Sequence, residues 1–271
     1  AARGIEGHAA AVSRRLKIRH IKIWQINKNM TKIILSDSYY NLFDILLEQL
    51  DGVNQAEGSN LIFCEEKSSL TVERKICAKF NGSFNTEVYS FGNFMRVHCP
   101  SNKTLTKEGS SMVVKKLLKE LPLSTLGLGK EIAPSLYELI AQLKSASVTV
   151  SDLEKATVSV NGILKNKLID VVKIYRAYEE YLTASGVSDQ SQALSRFPEL
   201  IESMPEIKGA NVFLVGYTGL TKQNLQGVKA LIKNARSFTA ILPFITAPED
   251  LQYYYNNVIC HLQQCRQHNL S

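Results

Sequence analysis

The sequence predicts an α/β protein whose parallel sheet is interrupted by a long helical insertion, and three observations predict it. Five short strand-like runs stand at residues 32–35, 60–64, 87–90, 212–215 and 238–242, each about the length of a buried strand. Apolar-periodic helices follow most of them, and strands alternating with helices give a parallel sheet covered on both faces. Between the third and fourth runs, about a hundred residues carry only the helical period.

In chain order, residues 1–29 form a basic leader with Arg3, Arg14, Arg15, Lys17, Arg19, Lys22 and Lys28 against Glu6 alone. A DNA-binding arm or a transit peptide has this composition, as does a non-native or disordered leader. The last reading is favoured because Met30 is followed at once by the first credible strand, and it predicts that residues 1–29 can be deleted without unfolding the rest. After that strand comes a helix over 42–50 with Leu42, Ile45, Leu46 and Leu50 on one face. The second strand is followed by Glu65, Glu66, Lys67, Ser68 and Ser69, and by a helix from about Leu70 carrying Val72, Ile76 and Cys77.

In the insertion, Val113, Val114, Leu117, Leu118 and Leu121 form one apolar stripe, and Leu136, Leu139, Ile140 and Leu143 form another. Ser151 and Glu154 have the spacing of a capping box. A long helix follows over about 164–182 through Leu168, Val171, Tyr175 and Tyr178. The sheet resumes at 212–215, and Thr221 is placed to cap a helix with Leu225, Val228, Leu231 and Ile232 on one face. A last helix is predicted over 251–268. The organisation expected is a discontinuous α/β domain, 30–104 with 206–247, around a helical insertion, 105–205. Residues 248–271 would then begin a truncated next segment.

An apolar fraction of 45% is ordinary for a globular protein, and no run approaches the roughly 18 apolar residues of a membrane-spanning helix. No membrane contact is expected. The net charge of +7 suggests nucleic acid until it is located, because the leader holds +6 and the rest of the chain only +1. Any DNA contact by the main body must therefore come from a local patch. Five cysteines, an odd number without a convincing signal peptide, point to a reducing cytoplasmic setting.

The strand at 212–215, with its turn and helix, has the layout found in ATP-driven helicases and other P-loop proteins. There such a strand usually ends in acids that hold Mg²⁺ and position the attacking water. Here it ends in Gly216 and Tyr217, neither of which offers a carboxylate. A phosphate-cradling loop would belong after the first strand. It needs glycines, so that N–H groups converge, and a lysine to meet the charge. Between Ser36 and Glu48 there is no Gly and no Lys. No cofactor is expected, and this portion is predicted not to be catalytic.

Three landmarks in order carry a resemblance. Leu61-Ile62-Phe63-Cys64-Glu65-Glu66-Lys67-Ser68-Ser69-Leu70-Thr71-Val72-Glu73-Arg74 resembles the strand, loop and helix of AddB/RexB proteins, in which a hydrophobic run leads through Pro-Glu-Gln to a Glu-Arg pair. Glu87-Val88-Tyr89-Ser90-Phe91-Gly92-Asn93-Phe94-Met95-Arg96 resembles their Ser-Phe-x-Arg-Leu segment. Val212 to Leu225 is similar to their Gly-Phe-Thr segment, and the likeness covers about residues 31–245. It departs at Glu65-Glu66-Lys67, where the family has Pro-Glu-Gln, and at Asn93-Phe94, where it has Arg-Leu.

The resemblance implies a RecA-like, helicase-like sheet, and the absence of a phosphate loop makes the chain look more like the RexB branch. It implies the second subunit of a bacterial helicase-nuclease that processes double-strand DNA ends in recombinational repair, working beside an AddA/RexA-like motor subunit. The family's nuclease domain and iron–sulfur cysteines lie beyond residue 271, although the full-length family is described as an ATP-dependent deoxyribonuclease component.

Lys67, Ser68, Ser69 and Arg74 follow a strand end, where open α/β sheets bind ligands, and are donors of the kind a DNA phosphate takes. The plainer reading is a solvated loop and helix surface. Ser90, Phe91 and Arg96 stand at the next strand end, where Phe91 either stacks on a base or lies in the core. Cys260, His261, Cys265 and His268 invite a zinc reading, but one helix would supply every ligand, so free thiols are the better account. Glu65 and Glu66 point to opposite faces if the chain is extended and read as a polar rim. The expected partners are DNA, as a single strand or a duplex end, and the motor subunit. The competing expectations are a small nucleotide-dependent α/β enzyme and a purely structural partner of a motor subunit.

Overall fold

The computed structural model describes the backbone of residues 21–25, and residues 31–243 apart from 37, 39–40, 54–57, 83–84, 100–102 and 127–131. Two compact units emerge. One comprises residues 1–94, 198–220 and 225–271; the other comprises 95–197 with 221–224.

The first unit is built on a six-stranded sheet of order β1-β2-β6-β5-β3-β4, with β1 Ile21–Gln25, β2 Thr31–Ser36, β3 Asn60–Cys64, β4 Thr86–Tyr89, β5 Asn211–Val215 and β6 Ser237–Pro243. The five strands from β2 to β4 in that order are all parallel, and β1 is antiparallel to β2. β1 lies inside the leader that the sequence pattern sets apart, with Ile23 opposite Ile34 in register. Residues 1–20 and 26–30 lie outside the described residues.

Both faces of the sheet are covered, which is why β3, β5 and β6 are buried along their whole length. On one face Ile34, Ile62, Cys64, Phe213, Val215 and Ile241 form a single cluster with helix α1, Leu42–Asp51, and helix α2, Glu66–Phe80. These sheet residues alternate along their strands, the period of two that a pleated backbone imposes. Lys75 Nζ reaches Asp44 at 2.7 Å and Lys79 pairs with Asp51, so ion pairs tie α2 to α1 above the core. At the amino edge a polar row crosses four strands. Asn60 Nδ2 donates to Thr86 Oγ1 at 3.3 Å, Asn211 Nδ2 to Asn60 Oδ1 at 3.2 Å, and Ser237 Oγ to Asn211 Oδ1 at 2.7 Å. Each buried polar side chain thereby has a partner, as burial requires.

Helix α3, Phe91–His98, runs from the sheet unit into the helical unit, whose main elements are α4 Lys107–Glu120, α5 Ile132–Ser145, α6 Val150–Val158, α7 Gly162–Ser185 and α8 Gln190–Ser195. Short helices α9 Phe197–Ser203 and α10 Pro205–Gly209 lead back to β5, and α11 Lys222–Asn234 separates β5 from β6. The predicted stripes supply the helical core through Val113, Val114, Leu117, Leu136 and Ile140, joined by Val171, Tyr175 and Tyr178. Leu139 falls off the stripe and is exposed. The chain's entry and exit are stitched together, with Leu105 N–H donating to Ser188 O at 2.7 Å and Ser188 N–H to Lys103 O at 2.9 Å.

The capping box sits two residues earlier than Ser151 and Glu154 suggest. Thr149 caps α6, its hydroxyl accepting from the N–H of Asp152 at 3.2 Å while the Asp152 carboxylate takes the Thr149 N–H at 3.0 Å. Glu154 pairs instead with Arg176 on α7. Asp170 holds the loop after α4. Its carboxylate accepts the N–H groups of Ser124, Thr125 and Leu126 and both hydroxyls of Ser124 and Thr125. Among the described residues no helix is long and apolar enough to cross a membrane.

Candidate nucleic-acid interface at the carboxyl edge of the sheet

Parallel strands aim their carboxyl ends at one edge, which is where open α/β sheets take ligands. In this unit the described part of that edge is formed by the residues after β3, β4 and β5.

β5 is followed by Gly216, whose N–H still donates to Ile241 O at 3.0 Å while its φ of 76° turns the chain. That left-handed conformation costs a side-chain-bearing residue about 1–2 kcal/mol, which is what glycine relieves here. The turn sends Tyr217 inward, where its hydroxyl donates to Cys64 O at 2.9 Å at the end of the neighbouring β3. Burial, with the Cys64 thiol and the carboxylates of Glu65 and Glu66 nearby, pushes the phenol up, so it stays a neutral donor. A tyrosine tied to the sheet thus occupies the position after β5 where P-loop proteins usually carry metal-binding acids. The sequence shows that the acid is missing but not this bond, which depends on β3 and β5 being neighbours.

After β3 the backbone of Glu65 is still extended, and α2 begins at Glu66, four residues earlier than the apolar pattern indicates. A carboxylate in the first turn complements the positive end of the helix dipole, a local reason for the earlier start. Lys67, Ser68 and Ser69 are therefore in the first turns of a helix rather than in a loop. Ser68 is buried, and its N–H donates to Glu65 O at 2.8 Å. Ser69 Oγ donates to Glu66 O at 2.9 Å. Lys67 is exposed and pairs with Glu65 at 2.7 Å, and Arg74 is exposed two turns further on.

β4 ends at Tyr89, so Ser90 is the residue just before α3 rather than the end of a strand. Its hydroxyl accepts the Asn93 N–H at 3.1 Å and donates to the Glu66 carboxylate. This link joins the starts of α2 and α3. Phe91 is only 3% exposed, stacked on Phe63 at 5.2 Å and tilted against Tyr217 at 5.6 Å. Its faces are taken by the core, so the base-stacking reading fails for this residue. Arg96 is exposed on the last turn of α3, in the stretch assigned to the helical unit. Phe94 is likewise fully buried, beside Phe63.

The edge has no ready nucleophile at Cys64. Burial pushes its thiol up to about 12, helped by the carboxylates of Glu73, Glu66 and Glu65. What remains exposed is a mixed-charge rim in which Lys67 and Arg74 stand among Glu65, Glu66 and Glu73. The stretch from residue 30 to 94 holds 5 Lys and Arg against 9 Asp and Glu, whereas residues 95–197 hold 14 against 10. The basic part of the main body is the helical unit. The cysteine and histidine set near the carboxyl end, Cys260, His261, Cys265 and His268, lies outside the described residues.

A family model described as ADDB, N-terminal, matches residues 48–264 of the chain. Similar proteins include an ATP-dependent helicase/deoxyribonuclease subunit of Lachnoclostridium phytofermentans, 24% identical over 217 residues that make up 75% of this chain and 19% of that protein. The protein of the same name from Alkaliphilus metalliredigens is 26% identical over 212 residues, 72% of this chain and 18% of that one. That of Staphylococcus saprophyticus is 26% identical over 175 residues, 60% of this chain and 15% of that one. The chain spans about a fifth of the length of these relatives.

Proposed function

Because the chain belongs to the AddB N-terminal family, we propose that it is the amino-terminal, helicase-like part of a helicase/deoxyribonuclease subunit. In this reading it binds DNA and supports a motor subunit without turning over nucleotide itself. The setting is double-strand-end processing for recombinational repair in the cytoplasm, and no cofactor is assigned to this portion. The observation that carries the reading is the carboxyl edge of β2 and β5. The stretch between Ser36 and Glu48 has no Gly or Lys for a triphosphate, and the metal-ligand position after β5 holds Gly216 and a tied-down Tyr217.

Those replacements oppose the competing nucleotide-dependent enzyme, since neither phosphate charge nor Mg²⁺ would meet a suitable group. The exposed cations Lys67, Arg74 and Arg96 favour DNA contact over a purely structural role, because phosphate oxygens are what such side chains take.

The test is paired. Calorimetric titration with Mg-ATP should give no binding tighter than the millimolar range. A dissociation constant in the low micromolar range, about −8 kcal/mol, overturns the reading. Titration of a labelled DNA end, with and without a co-expressed motor subunit, should show salt-dependent binding in both cases, strengthened by the partner. DNA binding that comes entirely from the partner would leave only the structural role.

A further inference from the structure

Between Leu153 and Asp170 the chain has no buried residue, although it contains the end of α6, the connection to α7 and the first two turns of α7. Its aliphatic side chains are nevertheless large. Val158 is 79% exposed, Ile163 74% and Leu164 62%. Connections between helices are ordinarily polar, and contiguous exposed apolar groups mark an interaction surface. The base of this element is held firmly. Leu153 is buried in the helical core, Glu154 pairs with Arg176, and Tyr175 Oη donates to Val148 O at 3.0 Å. The aliphatic end is thus carried on a fixed support.

Its electrostatics select the partner. From residue 155 to 169 the chain has Lys155, Lys165 and Lys167 and no carboxylate. α7 starts here with no side-chain cap at Asn161 and no acid in its first turn, so the positive end of its dipole adds to the charge at the same place. A short stretch that combines exposed aliphatic side chains with lysines and no carboxylate is suited to a polyanion with apolar surface exposed at a discontinuity. The terminal base pair of a duplex, flanked by phosphates, is such a surface, and proteins that pry base steps apart use Ile, Leu and similar wedges for it.

We propose that the end of α6 and the start of α7 form a wedge that packs Val158, Ile163 and Leu164 against the terminal pair of a duplex end or fork, while Lys155, Lys165 and Lys167 hold the flanking phosphates. The proposal rests on the DNA-binding reading above and extends it to a defined substrate feature.

The test uses the full chain with a labelled forked duplex carrying 2-aminopurine at the junction. Because the three aliphatic residues are exposed, Val158→Ser, Ile163→Ser and Leu164→Ser together should leave the melting temperature unchanged. They should weaken fork binding roughly tenfold and abolish the 2-aminopurine fluorescence increase. Lys155→Ala, Lys165→Ala and Lys167→Ala together should lower the salt slope on duplex by about 2.7. Fork affinity, fluorescence and slope all unchanged in both variants overturns the wedge while leaving the broader DNA reading standing. A serine variant that keeps fork binding and loses a co-purifying motor subunit makes this a protein-docking surface and also overturns it. Wild-type chain that binds no DNA, alone or with the partner, removes the DNA reading and the wedge together.

Discussion

Tyr217 shows how a single side chain can be essential to an edge without performing chemistry there. Its hydroxyl satisfies the buried carbonyl of Cys64, and a buried acceptor left without a donor costs about 1–3 kcal/mol. Tyr217→Phe should therefore lower the stability of the sheet unit by about that amount, measured by chemical denaturation, and leave DNA affinity unchanged. Asp170 is the corresponding residue in the helical unit. Burial alone would raise its carboxyl, but the N–H groups of Thr125 and Ser124, the Thr125 hydroxyl and the Leu126 N–H hold it well below the ordinary carboxylate range. A depressed folded value contributes stability that is complete above the unfolded value, about 3.9, and is lost as the pH falls through the folded one. Asp170→Asn should thus be destabilised at pH 7 by about 2 kcal/mol. It should also show a shallower loss of melting temperature below about pH 4 than the wild type, and equal acid profiles would disprove the assignment. At this scale the sequence displays which chemical groups are missing. It does not display bonds such as Tyr217 to Cys64 or Asp170 to Thr125, because these join residues 153 and 45 positions apart.

The elements themselves are largely legible in the sequence, because a buried parallel strand and an amphipathic helix each leave a strong periodic mark. β3 and α1 match the apolar runs that predict them to within a residue, and the long helix of the insertion extends only a few residues beyond its stripe. The starts of α2 and α6 differ from the pattern for one reason. The first turn of a helix is set by caps and charges, such as Glu66 and Thr149, rather than by apolar spacing. β1 escapes the pattern because basic residues dominate its surroundings, while its pairing depends on the distant edge of β2. An edge strand left without its partner exposes a row of unpaired backbone groups. Deletion of residues 1–29 removes β1 and should lower the melting temperature by about 4 °C or more, of order 1 kcal/mol, and increase self-association at high concentration. A truncated chain that melts with the full-length one and stays monomeric would show that β1 contributes nothing to the sheet.

At the scale of the whole molecule, the distribution of charge governs how DNA would bind. Residues 30–94 are acidic in balance and residues 95–197 basic, so the carboxyl edge of the sheet contributes cations that are already partly neutralised. Lys67 is the clearest case, since Glu65 stands 2.7 Å from its ammonium. Each phosphate contact adds about 0.7 to the salt slope on single strands, so Lys67, Arg74 and Arg96 together would give a slope of roughly −2. Lys67→Ala with Arg96→Ala should lower it by about 1.4 and weaken all sequences alike. Glu65→Gln tests the geometry more sharply. Removing the carboxylate releases Lys67 to the phosphate, so affinity for a single strand should rise and the slope should steepen by up to about 0.7. In the Lys67→Ala background the same substitution should have no effect on the slope. A salt titration of labelled single strands against the four proteins of that cycle reads the coupling directly. If Glu65→Gln acts equally with and without Lys67, the carboxylate works through the general field of the edge, and Lys67 is not a DNA contact.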